Sequence, residues 1–389
     1  MRVLYILDPA IVGGATKAFL SLVMKIREMG VIPLVCTAQN SWLNEKLENA
    51  GIRTIVIGHR EMITPMRGKG IRGRLVFFKK LLIYLYCDLR ALWKINRSVD
   101  MQEIDLIHTN SSRSDIGFFL AKFYHKPHIV HLREFGDADY QCYPLNPFYI
   151  KQYNKYSSLF ICVSDAVRFH WGKKGIDSHK TVTIYDGIDY EKVPISQDVD
   201  KKCPMLKLLM SGGIMPSKGQ YLAIKAIGLL PNDVKRNITI DLIGWGSERY
   251  LEELKRLSEK VGLVNPVQFL GARDDILSLL SNYHIGLMCS RSEGFGLVTA
   301  EFMFAKLGII ASNSGASPEL IENGISGLTF QCENFQSLAD RILLYYNNRN
   351  LIVKHSCKAR ERALSLFTSQ LNAKKIYNRY CSIIDTTTL

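Results

Sequence analysis

The chain has 389 residues, 47% hydrophobic and 22% charged, with a formal net charge of +14. Its length exceeds one ordinary core and predicts two domains of about 150–200 residues each. The composition excludes a disordered or membrane-embedded chain, and the positive charge calls for an anionic partner.

Met1 leads directly into RVLYIL, and Asp8 ends that apolar run, so no secretory leader is expected. No run approaches the roughly 20 apolar residues of a membrane span. The nine cysteines form no C-x-x-C pair, and Cys162 and Cys289 sit inside apolar runs. They read as small buried hydrophobes of a reducing compartment.

In chain order, apolar runs predict strands at Arg2–Leu7, Val31–Thr37, Arg53–Ile57, Ile104–His108, His128–Leu132, Leu159–Val163 and Thr181–Tyr185. Continuously apolar strands separated by helical patterns predict a parallel sheet covered on both faces. The first strand runs into VGGATKAF, where Gly13 and Gly14 open a helix whose free N–H groups are suited to an anion. A plain tight turn is the alternative. The second strand ends in Thr37-Ala-Gln-Asn40, without the ribose-binding carboxylate of a dinucleotide site, which argues against NAD.

Between Arg60 and Arg97 stand ten basic residues against Glu61 and Asp88, around LVFFKKLLIYLY. Interleaved basic, aromatic and aliphatic residues suit an anionic membrane surface. A solvated basic helix with its apolar side on the core is the other reading. Nucleic acid is disfavoured, since no recognition motif accompanies the charge. His131 ends the strand HIVHL, where it fits either a site or a satisfied core position, and Glu134 follows in the same loop. The polar stretch Tyr190–Pro204 is expected to be the interdomain linker.

The second half repeats the scheme, with strands at Leu206–Met210, Ile238–Gly244, Val267–Leu270, His284–Cys289, Gly308–Ala311 and Leu328–Phe330. After its first strand come Gly212, Gly213 and Lys218, a lysine placed to neutralise a diphosphate or simply solvated. LIGWG sets Gly244 and Gly246 at a strand end, for a close approach or an ordinary turn. Then SEGFGLVTAEF places Glu293, Gly294, Phe295 and Gly296 before a helix that begins near Leu297 and Val298 and carries Glu301. The helix start offers unpaired N–H donors to phosphate. Were the whole span helical, the two carboxylates would stand about 12 Å apart along the axis, and such a pair matches the hydroxyl clusters at the two ends of a nucleoside-diphosphate sugar. Downstream, Pro318–Glu319 predicts a short helix ending at Asn323–Gly324.

Taken together, SGGIMPSKG, the E-G-F-G-x-x-x-x-E of Glu293–Glu301, SGASPELIENGISG, IYDGID and QFLGARDD resemble the C-terminal half of retaining family 4 glycosyltransferases of the GT-B fold. VGGA, LIHTNSS and HLREF extend the resemblance more loosely through the N-terminal half. It implies an α/β protein with two doubly wound Rossmann-like domains facing a central cleft. Residues 1–190 would form the acceptor-side domain and 191–365 the nucleotide-sugar domain, with a helix in 366–389 returning to the first. It implies further that Glu301 binds ribose, that Glu293 lies by the transferred sugar with the Gly294–Gly296 backbone, and that Lys218 contacts the diphosphate. The Gly13–Gly14 loop would close over that diphosphate, and His131 would stand near the reacting sugar.

The family often has arginine where this chain has Gly213, and Arg291 or Arg133 is the expected substitute. No cofactor and no metal are implied beyond the nucleotide-sugar co-substrate. The expected activity is retaining sugar transfer to a saccharide or lipid-linked acceptor, as in capsule, exopolysaccharide or lipopolysaccharide assembly, at the inner face of the cell membrane. A nucleotide-sugar epimerase of the same fold and a non-catalytic nucleotide-sugar-binding subunit are the rivals.

Overall fold

The computed structural model describes residues 1–7, 13–65, 71–136, 142–196, 205–263 and 266–387. The chain forms two units, one of residues 1–187 with 369–389 and the other of residues 188–368. Among the described residues, no helix is long and apolar enough to cross a membrane.

The first unit runs β1 (Arg2–Ile6), α1 (Gly14–Glu28), β2 (Ile32–Thr37), α2 (Trp42–Asn49), β3 (Arg53–Val56), β4 (Ile63–Pro65), α3 (Ile71–Ser98), β5 (Leu106–Thr109), α4 (Ile116–Tyr124) and β6 (His128–Leu132). It continues through β7 (Cys142–Pro144), α5 (Tyr149–Tyr156), β8 (Leu159–Cys162), α6 (Asp165–Lys173) and β9 (Thr181–Thr183). Seven strands form a sheet in the order β3-β2-β1-β5-β6-β8-β9, with every pair parallel. The interior strands β5 and β6 are buried throughout, as their unbroken apolar sequence requires.

Helices pack on both faces. On one, α1 buries Phe19, Leu22, Val23 and Ile26; on the other, α3 and α4 bury Ala91, Ile95, Ile116 and Leu120. The antiparallel pair β4–β7 was not expected from the sequence, since three residues per strand carry no readable period.

The second unit runs β10 (Leu206–Ser211), α7 (Gln220–Gly228), α8 (Asn232–Arg236), β11 (Ile238–Ile243), α9 (Glu248–Lys260), β12 (Val267–Gly271), α10 (Ile276–Leu279) and β13 (Ile285–Met288). Then follow α11 (Leu297–Phe304), β14 (Gly308–Ser312), α12 (Ser317–Leu320), β15 (Leu328–Phe330), α13 (Phe335–Asn347) and α14 (Arg349–Leu366). Its six parallel strands lie in the order β12-β11-β10-β13-β14-β15. The strand order reverses between β10 and β13, and open sheets of this kind take ligands at the carboxyl ends of the strands beside that switch.

The final helix, α15 (Ser369–Thr387), belongs to the first unit. Ala373, Ile376 and Tyr380 enter the same core as Phe19 and Leu22 of α1.

Two local expectations are corrected. Residues Tyr190–Ser196 are not a free linker. The Tyr190 ring stacks on Phe304 at 5.5 Å, Val193 is buried, and Ser196 N–H donates to the Ala305 carbonyl at 2.8 Å. Its polar average concealed three anchoring contacts; residues 197–204 of that stretch lie outside the described ones. The helix opened by Pro318 stops at Leu320 rather than at Asn323–Gly324, because Ile321 turns to an extended conformation and Asn323 bridges to Gly327.

Candidate nucleotide-sugar site

Three loops meet at the carboxyl ends of β10, β13 and β14, where the second sheet reverses its order. The β10 loop passes through Gly212 and Gly213 into a single turn, Pro216–Lys218. Gly219 closes this turn at φ +75°, and a Cβ there would lie 2.4 Å from the Cys289 carbonyl oxygen. Only glycine permits both the left-handed backbone and so close an approach. The Arg291 N–H donates to the Ser217 carbonyl at 2.9 Å, tying the lysine loop to the end of β13.

That arrangement sets Lys218 against the glutamate loop. Its ammonium lies 2.7 Å from Glu293 Oε2, with side chains 32% and 18% exposed. Both groups are shielded enough to hold a defined geometry and open enough for a ligand to exchange with either. Glu293 is fixed from behind by the β14 loop: Ala316 N–H donates to its carbonyl at 2.9 Å. Gly315, at φ +57°, passes so near that a Cβ would sit 2.6 Å from the Glu293 backbone. Ser312 and Ser314 donate to the Ser290 carbonyl at 2.6 and 3.1 Å, completing the stitching of the two loops.

Gly296, at φ +91°, stands at the start of α11 and no side chain caps the helix. The N–H groups of Leu297, Val298 and Thr299 are therefore the donors of an uncapped helix end. The positive end of the helix dipole adds to them. Thr299, 1% exposed, has a hydroxyl without a hydrogen-bond partner among the described residues. Glu301 is half-buried in the second turn. Phe295 is buried, packed edge-on against Phe367 at 5.4 Å, so its side chain anchors the loop. Gly294 lies between Glu293 and Phe295 in this loop.

Gly213 offers its carbonyl to Gln220 Nε2 at 3.0 Å. The close approach at Gly246 is to Ile214 of the neighbouring loop, since a Cβ at Gly246 would fall 2.8 Å from the Ile214 Cβ. Gly246 thus joins two turns of the protein itself.

The remaining candidates belong to the first unit. Gly13 is the residue before α1, which has neither a side-chain cap nor an acidic residue in its first turn, and Gly14 is its first residue; residues 8–12 lie outside the described ones. His131 is wholly buried on β6. Arg133 Nη2 stands 3.4 Å from His131 Nδ1, and its other groups bind Asp186 at 2.6 and 2.7 Å and Asn110 Oδ1 at 2.9 Å. Arg133 donates, so Nδ1 is the acceptor and the imidazole proton is on Nε2. Nε2 has no partner among the described residues. Burial first, then the adjacent Arg133 charge and His108, hold His131 well below the ordinary histidine range, so it is neutral.

His108 Nδ1 meets the Tyr380 hydroxyl of α15 at 2.5 Å, extending this polar cluster to the end of the chain. Tyr380 and Asp186 were not singled out from the sequence. Asp186 lies within the IYDGID stretch, but its role is not local, and neither is that of Tyr380, because their partners are 53 and 272 residues away.

Neither proposed substitute for the missing arginine is unengaged. Arg133 is committed to Asp186, and Arg291 pairs with Glu333 at 2.7 Å. Glu134 is likewise held, accepting from Ser112 N–H at 2.9 Å and Ser112 Oγ at 2.6 Å. Among the described residues, no three His, Cys, Asp or Glu side chains are arranged to hold a metal ion. The Asp-x-Asp steps Asp137–Asp139 and Asp198–Asp200 lie outside those residues.

A family model described as Glycosyltransferase Family 4 matches residues 12–192, and one described as Glycosyl transferases group 1 matches residues 195–363. An uncharacterized glycosyltransferase of Methanocaldococcus jannaschii is 26% identical over 267 residues, 67% of this chain and 70% of that protein. The UDP-Gal:alpha-D-GlcNAc-diphosphoundecaprenol alpha-1,3-galactosyltransferase of Escherichia coli is 23% identical over 78% of this chain and 81% of its own length. Among solved structures, Anabaena HepE in complex with UDP and glucose aligns over 98% of this chain and 100% of its own, with TM-score 0.77 and 22% identity, a likeness of fold. With the two family models meeting end to end over a pair of doubly wound sheets, the chain belongs to the family 4 glycosyltransferases of the GT-B fold.

Proposed function

We propose that this glycosyltransferase moves a sugar from a nucleoside-diphosphate sugar to a hydroxyl of a lipid-linked saccharide, with retention at the anomeric carbon, in surface-polysaccharide synthesis. The observation that carries the reading is the Lys218–Glu293 pair beside the uncapped start of α11, at the switch point of the second sheet. In this reading the diphosphate takes the N–H groups of Leu297 and Val298 together with the Lys218 ammonium. Glu293, released from Lys218, accepts hydrogen bonds from sugar hydroxyls, and Glu301 accepts from ribose. The leaving diphosphate gains negative charge as the glycosidic bond breaks, and fixed donors aimed at that charge lower the barrier without reorganising. Same-face departure and attack, with the leaving phosphate taking the proton of the acceptor hydroxyl, is the course that the family resemblance favours.

The names of the relatives support the choice of co-substrates: a UDP-sugar donor with a diphosphoundecaprenol-linked acceptor for one, UDP-glucose in a crystal for another. Positive charge comes from Lys218 and the helix end, so transfer is expected to continue in the presence of a chelator. The test is a thermal-shift screen of nucleotide sugars followed by transfer to a diphospholipid-linked saccharide. A donor present at a hundred times its Kd stabilises the native state by about 2.7 kcal/mol. No shift with any nucleotide sugar overturns the reading. Acceptor-independent isomerisation of the donor favours the epimerase, and binding without turnover favours the non-catalytic subunit.

A further inference from the structure

Helix α3 is 28 residues long. Tyr84, Asp88, Ala91 and Ile95 are buried along one side of it. At 100° per residue these four lie within about 60° of arc, so one narrow face meets the sheet. The opposite side is not polar. Leu75, Phe78, Leu82, Tyr86, Leu89 and Trp93 are exposed to 64, 60, 67, 65, 67 and 57%. Their positions fall within a single arc of about 80°, a continuous apolar stripe directed away from the core. Scattered exposed leucines need no account, but a contiguous row of six large side chains does.

Charge identifies what covers it. Helices α3, α4 and α5 carry ten basic residues and one acidic residue, Asp88, which is buried. Lys79, Arg90, Lys94 and Arg97 follow one margin of the stripe, and the Arg97 guanidinium lies over the Trp93 ring at 4.5 Å. Beside α3, helices α4 and α5 enclose a recess of about 310 Å³ lined by Phe119, Lys122, Phe148, Lys151, Lys155 and Tyr156. Lys122 and Lys155 stand 5.7 and 5.3 Å from the Tyr156 ring centroid. Three ammonium groups around aromatic walls suit a phosphate joined to an apolar group. A second copy of this chain would set cationic margin against cationic margin. An anionic bilayer supplies both the apolar layer and the compensating charge.

We propose that the outer face of α3, α4 and α5 is a docking surface for an anionic phospholipid bilayer. The stripe of α3 lies at the headgroup–acyl boundary, and the Lys122–Lys151–Lys155 recess holds an anionic headgroup. This deepens the reading of a lipid-linked acceptor and rests on it for its purpose, while the binding is measured without donor or acceptor.

The experiment is flotation of the full chain with vesicles of phosphatidylcholine alone or with 30 mol% phosphatidylglycerol. Wild type is expected to float with the anionic vesicles and to remain behind with the neutral ones. Leu82→Ser/Leu89→Ser/Trp93→Ser, all at exposed positions, should lower the bound fraction at least tenfold with an unchanged melting temperature. Lys122→Glu/Lys151→Glu/Lys155→Glu should remove most of the preference for phosphatidylglycerol. Brominated lipid should quench wild-type tryptophan fluorescence and should not quench Trp93→Phe. Three results overturn the proposal: no flotation with either vesicle, flotation indifferent to the stripe variant, or a wild-type dimer that the stripe variant abolishes. Donor binding measured by calorimetry without lipid decides the proposed activity separately, so either reading fails without the other.

Discussion

Lys218 and Glu301 make opposite kinds of demand on a donor, and their variants should separate. Glu301→Ala removes hydrogen bonds to a charged acceptor, worth about 1.5–3 kcal/mol, so donor Kd should rise roughly ten- to hundredfold in calorimetry. Lys218→Ala removes a charge opposite one that grows as the bond breaks, so kcat should fall on the order of a hundredfold, with a smaller change in Kd. Unchanged donor affinity in Glu301→Ala removes its assigned role.

At the same scale stands Asp88, buried on the inner side of α3 near Asp115, whose carboxylate accepts from the Tyr84 hydroxyl. Burial, and then the neighbouring Asp115 charge, raise the Asp88 carboxyl above its ordinary value of 3.8. A raised acid gives its full stabilisation below the unfolded value and loses it as pH climbs toward the folded one. Asp88→Asn should therefore leave the melting temperature nearly unchanged at pH 4 and raise it increasingly toward pH 8. The limit is about 1.4 kcal/mol per pH unit. A constant difference across that range refutes the assignment. No sequence pattern shows this pairing, since Asp88 lies on α3 and Asp115 at the N-cap of α4, and they meet only when the two helices pack.

Among the elements, the turn that carries Lys218 depends on Gly219. Gly219→Ala imposes a positive φ on alanine and a close contact with the backbone carbonyl of Cys289, the residue after β13. Destabilisation of about 1–3 kcal/mol is expected from the strained backbone alone. Donor affinity should fall with it, because the same turn holds the lysine; full affinity in the variant contradicts the coupling. The signal of SGGIMPSKG was legible in the chain, whereas the reason for its last glycine, the Cys289 carbonyl, lies 70 residues further on. The strands show the same division. His128–Leu132 and Leu328–Phe330 were readable to the residue because Pro127 and Gly327 precede them and the polar Arg133 and Gln331 follow. The β4–β7 pair was not, since its residues form strands only by meeting each other.

For the whole molecule, the decisive feature is the return of α15 to the first unit. Ala373, Ile376 and Tyr380 are fully buried there, and Tyr380 bonds both His108 and, at 3.2 Å, Tyr5. Tyr380→Ala leaves a cavity and unpaired polar groups and should cost about 3 kcal/mol or more. Ending the chain at Thr368 should expose the α1 face. Hydrogen exchange is then expected to accelerate in α1, β1 and β5 and to stay unchanged in β10–β14. Equal acceleration in both halves rules out this division of labour.

Apolar periodicity and small-residue turns determined, from the sequence alone, two parallel α/β sheets, the glutamate–helix signature and the lysine turn. Each is a local property, set by neighbours within a few positions. Only the tertiary structure decided which strands flank the switch point, that Lys218 meets Glu293, and that Arg133 spends its charge on Asp186. It also decided that the apolar side of α3 stays outside the core. Those facts arise from packing between residues distant in the chain, where burial and charge pairing select one arrangement among many that the same local preferences permit.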